Sequence, residues 1–229
     1  MPAHNEEGLI EASVREVVEA VRAKGRRFEV VVVENGSTDA TAAIARRLSE
    51  DFPEVRVLTL SDADYGGALR TGFLEASGDL IAIFDVDYYD FPFLDQAVAM
   101  LDRDNGADVV IGSKRGAGAV DTRSWSRRIV TSVFATVLRV VFGLKVSDTH
   151  GIKVVRRAPL KDLAAACRYG TDLFDTELVL RAERAGLRVV EVPVVVEERR
   201  PSRTSIARRI PRTLVGLARL RWALWRERA

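Results

Sequence analysis

The chain has 229 residues, 47% hydrophobic and 30% charged, a composition typical of a globular protein with one substantial core. Intrinsic disorder, a collagen-like structure and a disulfide scaffold are excluded, because apolar content is high and Cys167 is the single cysteine. The net charge of +2 conceals a basic tail, since residues 199 to 229 contain ten arginines and one acidic residue, which favours an anionic partner.

Helical and strand-like patterns alternate along the chain. Apolar residues recur at helical spacing over residues 9 to 21, 40 to 50, 66 to 77, 91 to 103, 125 to 142 and 173 to 186. Apolar runs typical of strands occupy residues 28 to 33, 55 to 60, 80 to 84, 107 to 112 and 187 to 196. This order predicts βαβ units, and hence one α/β domain with a mostly parallel central sheet and helices on both faces.

Polar residues directly follow three of the predicted strands. They are residues 34 to 39, Asp85 with Asp87, and residues 113 to 115. In open α/β sheets ligands bind outside the carboxyl ends of the strands, so these residues predict a ligand site at one edge of the sheet.

The sequence FDVDYYD places Asp85 and Asp87 one residue apart after a buried strand. Two carboxylates this close repel each other unless a cation lies between them, and Mg²⁺ commonly binds one or two carboxylates together with substrate phosphates. We therefore predict that both coordinate a metal ion. Asp90 instead suits the N-cap of the helix that begins near Phe91, before Pro92 in its first turn.

The segment ENGSTDAT at residues 34 to 41 has two interpretations. It suits an ordinary turn and a capped helix start, or a pocket for a polar heterocycle at the end of a strand. Gly66 and Gly67 allow the backbone to approach a phosphate, but the pattern is neither a P-loop nor GxGxxG. A dinucleotide-binding fold therefore lacks its fingerprint.

Taken in order, these motifs resemble the inverting nucleotide-sugar glycosyltransferases of family 2, which have the GT-A fold, and among them the dolichyl-phosphate mannose synthase-like branch that uses polyprenyl phosphates. The resemblance covers residues 1 to 205. Its pieces are PAHNEE (2 to 7), VVVENGSTDAT (31 to 41), GGALRTGFLEASGD (66 to 79), FDVD (84 to 87), IGSKR (111 to 115), SDTHGIKVVRR (147 to 157), FDTELVLRAERAGLRVVEVPV (174 to 194) and RRPSRTS (199 to 205). It implies a single GT-A-type nucleotide-sugar transferase domain with hexosyltransferase activity.

The resemblance also implies roles for individual residues. Asp85 and Asp87 match the DxD pair that holds the donor diphosphate through Mg²⁺ or Mn²⁺, and Asp87 is implied in catalysis. The implied nucleotide-sugar pocket contains Pro2, Ala3, Glu6, Glu34, Asp64 and Asp85. The cationic groups implied near the acceptor or the diphosphate are Lys114, Arg199, Arg200 and Arg203, for which a solvated basic edge is the alternative.

The chain departs from the family pattern at three places. The apolar strand that precedes the PAHNEE-like segment in most members is missing, so we expect an unfilled sheet position, or a natural start upstream of Met1. Asn35 replaces an aspartate of many relatives, which bears on contacts to the base or the ribose. Tyr89 replaces a further polar metal ligand of the lipid-phosphate branch, and we expect water to complete the metal shell.

Asp175 distinguishes two classes of acceptor. A hydroxyl acceptor loses a proton during attack and needs a general base, whereas a lipid phosphate is already ionised near neutral pH. Asp175 matches the catalytic aspartate of hydroxyl-acceptor members, although an acidic residue at a helix start also has a structural explanation. We favour a polyprenyl phosphate acceptor. The alternatives are a sugar or protein hydroxyl with Asp175 as base, or a non-catalytic nucleotide-binding module.

Residues 206 to 229 predict a basic amphipathic helix after the domain of residues 1 to 205. Its apolar side chains recur every three or four residues, and Trp222 and Trp225 suit the headgroup boundary of a bilayer. We expect this helix to bind a membrane surface, aided by residues 125 to 142. Packing on the domain or on a second subunit is the alternative.

Nucleic-acid binding is not expected, because aromatic residues do not alternate with the basic positions of the tail. The N-terminus does not resemble a signal peptide, and no uncharged run reaches the roughly 18 to 20 apolar residues that span a bilayer. We therefore expect a cytoplasmic protein, peripheral at the inner face of the cell membrane.

Overall fold

The computed structural model of the chain describes all residues except 104–105, 115–119, 122–124, 169, 171–172, 197–205 and 227–229. The helices are α1 (Ile10–Arg22), α2 (Thr41–Asp51), α3 (Tyr65–Glu75), α4 (Phe91–Leu101), α5 (Trp125–Phe142), α6 (Arg157–Ala166), α7 (Phe174–Arg184) and α8 (Ile206–Arg226). The strands are β1 (Pro2–Ala3), β2 (Val30–Asn35), β3 (Val55–Leu60), β4 (Leu80–Ile83), β5 (Val109–Ser113), β6 (Val120–Asp121), β7 (Lys153–Arg156), β8 (Val189–Pro193) and β9 (Val195–Val196). The helices and strands predicted from hydrophobic periodicity are all present, with ends shifted by a few residues.

The strands form a three-stranded ladder in the order β1-β2-β3, a four-stranded ladder in the order β4-β7-β5-β8, and the pair β6-β9. Of the six strand pairings within the described part of the chain, four are parallel, which agrees with the predicted mostly parallel sheet. The exception is β7, which runs antiparallel to both β4 and β5. Its first residue, Lys153, therefore pairs with Ile83 and Ile111 near the carboxyl ends of those strands.

The expected unfilled sheet position beside β2 is filled only in part, at the carboxyl end of that strand. Pro2 and Ala3 form β1 and pair with Val33 and Glu34 at the carboxyl end of β2. The backbone amide of Val33 also donates to the Met1 carbonyl oxygen at 2.9 Å. Because the periodicity rule needs four or more residues to recognise a strand, this two-residue strand escapes it.

Helices cover both faces of the sheet, as predicted. One apolar core contains buried residues of α1, α2 and α4, and a second contains residues of α3, α5, α6, α7 and α8. Successive side chains of a strand point to opposite faces, so Val110 of β5 packs in the first core while Val109 and Ile111 pack in the second. This double burial explains why the strands read as continuous apolar runs.

Helix α8 packs one face against the second core, where Leu217, Leu220 and Leu224 are buried. The alternative interpretation of its apolar stripe, packing on the domain, therefore holds for this face. The domain boundary between residues 205 and 206 stays a prediction. Within the described part of the chain, no helix combines the length and the hydropathy that crossing a bilayer requires.

Candidate active site

A tight turn after β4 carries the paired aspartates. Phe84 and Val86 are buried, and the Ser13 hydroxyl on α1 donates to the Val86 carbonyl oxygen at 2.7 Å. The backbone N–H of Asp85 donates to the Tyr88 carbonyl oxygen at 3.1 Å and closes the turn. Asp85 lies between these two buried residues and Asp87 follows them, and both aspartates remain half-buried at the carboxyl edge of the sheet.

Asp85 lies in an environment that disfavours its negative charge. Removal from water raises the pKa of its carboxyl group, and the nearby charges of Asp87 and Asp175 raise it further. Two groups act in the opposite direction. The Tyr65 hydroxyl donates to Asp85 Oδ1 at 2.8 Å, and the ammonium group of Lys153 attracts the carboxylate. An excess of negative charge therefore remains around Asp85, and a bound cation would neutralise it.

The residues present fit a hard divalent cation. Two carboxylates of one turn supply oxygen ligands, which Mg²⁺ and Mn²⁺ prefer, and substrate phosphates and water commonly complete such shells. No group of three or more His, Cys, Asp or Glu side chains suited to one metal ion occurs among the described residues. The donor set therefore fits a metal held jointly by Asp85, Asp87 and a diphosphate.

A buried ion pair lies next to this turn. Lys153 and Asp175 are only 1% and 4% exposed, and the Lys153 ammonium donates to Asp175 Oδ1 and to the Gly151 carbonyl oxygen, each at 2.7 Å. Asp175 is the second residue of α7, and the antiparallel direction of β7 brings Lys153 to the same edge. The sequence analysis missed Lys153, because only the reversed strand direction places it in the site.

Residues 147 to 150 form a loop that is fastened on two sides. Glu191 on β8 accepts hydrogen bonds from the amide and hydroxyl of Ser147, at 2.9 and 2.8 Å, and from the amide of Asp148 at 3.0 Å. The Thr149 hydroxyl contacts the Thr176 hydroxyl at 2.9 Å, next to Asp175. The loop is thus fixed against both the sheet and the start of α7.

The predicted nucleotide-pocket residues gather at the ends of β1 and β2. Pro2, Ala3 and Glu6 are buried, and the Glu6 amide donates to the Thr41 hydroxyl at 2.7 Å. Glu34 is 2% exposed and accepts a hydrogen bond from the Ser37 amide at 2.6 Å.

Glycine is required at position 36, where φ is +66°. A Cβ atom there would lie 2.9 Å from the backbone of Ser61 and of Asp62. Asp64, at the N-cap of α3, lies against the backbone of Gly170, where a Cβ atom would approach its Oδ2 atom to 2.4 Å. The loops after β2 and β3 and the segment before α7 therefore meet at one edge.

The remaining predicted residues have different outcomes. Lys114 lies at the end of β5, with its ammonium nitrogen 5.9 Å from the centre of the Tyr88 ring. Asp90 caps α4 as predicted, accepting a hydrogen bond from the Phe93 amide at 2.8 Å. The buried Tyr89 directs its hydroxyl to Glu16, away from the metal turn. The other predicted cationic residues lie outside the described residues: Arg199, Arg200 and Arg203.

Comparison with known proteins assigns the class. The glycosyl transferase family 2 model matches residues 1–170, so the chain belongs to this family and is a glycosyltransferase. Glycosyltransferase AglD of Haloferax volcanii is 31% identical over 215 residues, covering 92% of this chain, which spans only 34% of that protein. The undecaprenyl-phosphate mannosyltransferase of Micrococcus luteus is 32% identical over 182 residues, covering 75% of this chain and 72% of that protein.

A solved structure shows the same fold. Glucosyl-3-phosphoglycerate synthase from Mycobacterium tuberculosis, in complex with Mn²⁺, UDP-glucose and phosphoglyceric acid, superposes with a TM-score of 0.62 at 22% identity. The match covers 87% of this chain and 70% of that chain. The predicted GT-A architecture is therefore confirmed.

Proposed function

We propose that the chain is a metal-dependent inverting glycosyltransferase that moves a sugar from a nucleotide diphosphate sugar to a polyprenyl phosphate at the cytoplasmic face of a membrane. The observation that carries the proposal is the half-buried pair Asp85 and Asp87, placed beside the buried ion pair of Lys153 and Asp175. Support for the donor and the metal comes from the synthase of the same fold that binds Mn²⁺ and UDP-glucose. Support for the acceptor comes from the undecaprenyl-phosphate mannosyltransferase relative.

The residues divide the reaction between them. Asp85 and Asp87 would hold Mg²⁺ or Mn²⁺, and Tyr65 orients Asp85 through its 2.8 Å hydrogen bond. When bound, the cation stabilises the negative charge that develops on the departing nucleoside diphosphate. An oxygen of the acceptor phosphate attacks the anomeric carbon from the opposite side, forming the new C–O bond as the bond to the diphosphate breaks, and the configuration inverts.

A phosphate acceptor fits the surroundings of Asp175. The nucleophilic oxygen of a lipid phosphate carries its charge before attack, so no proton has to be removed. The Asp175 carboxylate forms an ion pair with Lys153 that is almost wholly shielded from water. We assign this pair a positioning role at the start of α7. Lys114, half-buried at the end of β5, is proposed to attract the acceptor phosphate.

The outer surface of α8 supports a membrane location. Opposite the face that packs on the core, its large apolar side chains are more than half exposed: Leu214, Val215, Trp222 and Trp225. The Arg226 guanidinium lies 4.2 Å from the centre of the Trp222 ring, so cationic and aromatic groups share this surface. On α5, Val133 and Val140 are also exposed. Such a surface suits the interface of an anionic bilayer.

A donor screen tests the reaction. Release of nucleoside diphosphate from a panel that includes UDP-glucose and GDP-mannose would be measured with Mg²⁺, with Mn²⁺ and with EDTA. Each condition would be run with and without polyprenyl phosphate. We expect release from one donor to require both a metal and the lipid phosphate. Release driven instead by sugar or protein hydroxyls would overturn the proposed acceptor.

Flotation with liposomes tests the membrane surface separately. Each Lys or Arg near anionic lipid contributes about 1 kcal/mol, so replacing Arg219 and Arg221 by Gln should weaken partitioning roughly 30-fold. The matched control replaces the exposed Arg27 and Arg46 by Gln, which removes the same charge from a different part of the surface. Equal loss in the two variants would contradict a specific role for α8.

A further inference from the structure

Inside the site, one carboxylate oxygen has no hydrogen-bond partner among the described residues. Asp148 is 6% exposed, and its Oδ1 atom accepts a hydrogen bond from the His150 amide at 2.9 Å. Its Oδ2 atom is buried and accepts no hydrogen bond from the described residues. Leaving a buried acceptor unpaired is costly, and it is costlier still for a charged group. Such an atom indicates a partner that arrives with a ligand.

The surroundings of Asp148 connect it to the reacting centre. Its loop joins β5 through the hydroxyls of Ser147 and Ser113, which are 3.2 Å apart. Thr149, the following residue, is bound to the start of α7. Because Asp175 at that start pairs with Lys153 next to the paired aspartates, Asp148 lies at the same edge of the sheet.

The chemistry of a carboxylate limits which groups can bind Asp148 Oδ2. An ionised carboxylate accepts hydrogen bonds or binds cations. Asp148 does not belong to a metal cluster with Asp85 and Asp87, because no three acidic, His or Cys side chains of the described residues converge on one position. Lys114, which directly follows β5, lies over the Tyr88 ring. A hydroxyl group of a sugar substrate is a donor from which such an oxygen accepts a hydrogen bond.

The position of Asp148 favours a contact with the sugar of the donor over a contact with its nucleotide. The predicted nucleotide pocket lies at the ends of β1, β2 and β3, and the paired aspartates follow β4. Asp148 lies beyond them, above the β4-β7-β5-β8 ladder, where its loop is fastened to β8 by Glu191. A donor whose diphosphate lies at Asp85 and Asp87 would extend its sugar toward this ladder.

We propose that Asp148 Oδ2 accepts a hydrogen bond from a hydroxyl group of the sugar being transferred, and that Asp148 is thereby a determinant of donor specificity. This inference rests on the proposed function, because it takes the donor to be a nucleotide diphosphate sugar. Asp148→Asn tests it with little change of shape. The amide oxygen keeps the hydrogen bond from the His150 amide, and an NH₂ group, which cannot accept, replaces Oδ2.

The decisive measurement is the affinity for a nucleotide diphosphate sugar relative to the free nucleoside diphosphate. Calorimetry with Mn²⁺ would compare UDP-glucose with UDP and GDP-mannose with GDP. We expect Asp148→Asn to weaken binding of the preferred sugar nucleotide about 10- to 100-fold, the effect of one hydrogen bond to a charged group, and to leave free nucleoside diphosphate unchanged. Asp162→Asn, an exposed aspartate of α6, is the matched control.

Two further readouts separate sugar contact from a structural role. Donor analogues that each lack one sugar hydroxyl would be compared on wild type and Asp148→Asn. Only the analogue that lacks the contacted hydroxyl should bind the two proteins equally. The melting temperature of Asp148→Asn should equal or exceed that of wild type, because an unpaired buried carboxylate is replaced by a neutral amide.

The possible results are distinct. Equal loss for sugar nucleotide and free nucleoside diphosphate, loss for neither, or no gain in wild-type affinity from the sugar would overturn the role of Asp148. Absence of any nucleotide binding would overturn both proposals. A selective loss in Asp148→Asn, together with no transfer to polyprenyl phosphate, would support Asp148 and refute only the proposed acceptor.

Discussion

Replacing Asp175 by Asn distinguishes the two acceptor classes more sharply than any other single change. The substitution keeps the shape of the side chain and removes its charge, which is paired with Lys153 at 2.7 Å. A general base contributes about 10² to 10⁴ in rate, so a hydroxyl acceptor predicts a loss of at least 100-fold. For a lipid phosphate, which needs no base, we expect transfer to stay within about tenfold of wild type.

Asp175→Asn also lowers the stability of the fold, so activity must be measured at a temperature where the variant stays folded. Removing one partner of a buried ion pair typically costs about 3 to 5 kcal/mol, because the other charge stays buried. Lys153 keeps its 2.7 Å hydrogen bond to the Gly151 carbonyl oxygen, and the Asn oxygen can still accept from it, which favours the lower end of that range. At about 2 to 4 °C per kcal/mol, the melting temperature should fall by roughly 6 to 12 °C.

The assay is single-turnover release of nucleoside diphosphate at 25 °C, with Mn²⁺ and saturating polyprenyl phosphate. Lys153→Gln is the matched control, because it breaks the same pair from the other side and leaves the carboxylate in place. Small losses in both variants support a phosphate acceptor. A loss above 100-fold in Asp175→Asn with less than tenfold in Lys153→Gln would refute it and make Asp175 a base. Large losses in both variants would show that transfer depends on the intact ion pair.

Three further substitutions test the rest of the site. Asp85 has a raised pKa, so the folded chain binds this proton more tightly than the unfolded chain, and stability falls as pH rises above the ordinary value of 3.8. Asp85→Asn should therefore raise the melting temperature of the metal-free chain at pH 7, and the gain should vanish near pH 3; a lower melting temperature at pH 7 would contradict this. Gly36→Ala should cost at least about 1 to 2 kcal/mol in urea titrations, because φ is +66° and the added Cβ meets backbone, and should weaken UDP or GDP binding. Glu191→Gln should cost about 2 to 4 kcal/mol, since Glu191 accepts three hydrogen bonds from the loop of residues 147 to 150; a change below 1 kcal/mol would show that the loop is held otherwise.

Hydrophobic periodicity predicted the main helices and strands because their signal is local. In α1, the buried residues Ile10, Val14, Val17 and Val18 recur at the spacing of a helix that packs one face against the sheet. Strand β5 reads as an apolar run because both of its faces are covered. The paired aspartates were located for a similar reason, since the carboxyl end of a buried strand is visible in the sequence.

Contacts between residues that are distant in sequence could not be predicted in this way. The segment KVVR of β7 is four residues long and has a charged residue at each end, and nothing local shows that it runs antiparallel between β4 and β5. That direction is what brings Lys153 to Asp175, which lies 22 residues away. The hydrogen bond from Tyr65 to Asp85 likewise joins residues 20 positions apart, on different elements. Sequence spacing gives no signal for either contact.

Several unfavourable features of the molecule lie at one edge of the sheet. Asp85 carries a charge that its surroundings disfavour, and buried oxygens of Asn35 and Asp148 have no partners among the described residues. The apolar cores beneath them are closely packed, with side chains such as Ile10, Leu48 and Leu101 fully buried. A fold tolerates such local costs where a ligand relieves them, so a cation would relieve Asp85, and hydrogen-bond donors of the donor substrate would relieve the two oxygens. The free protein is in this sense preorganised, because folding has already buried these groups before the substrate binds.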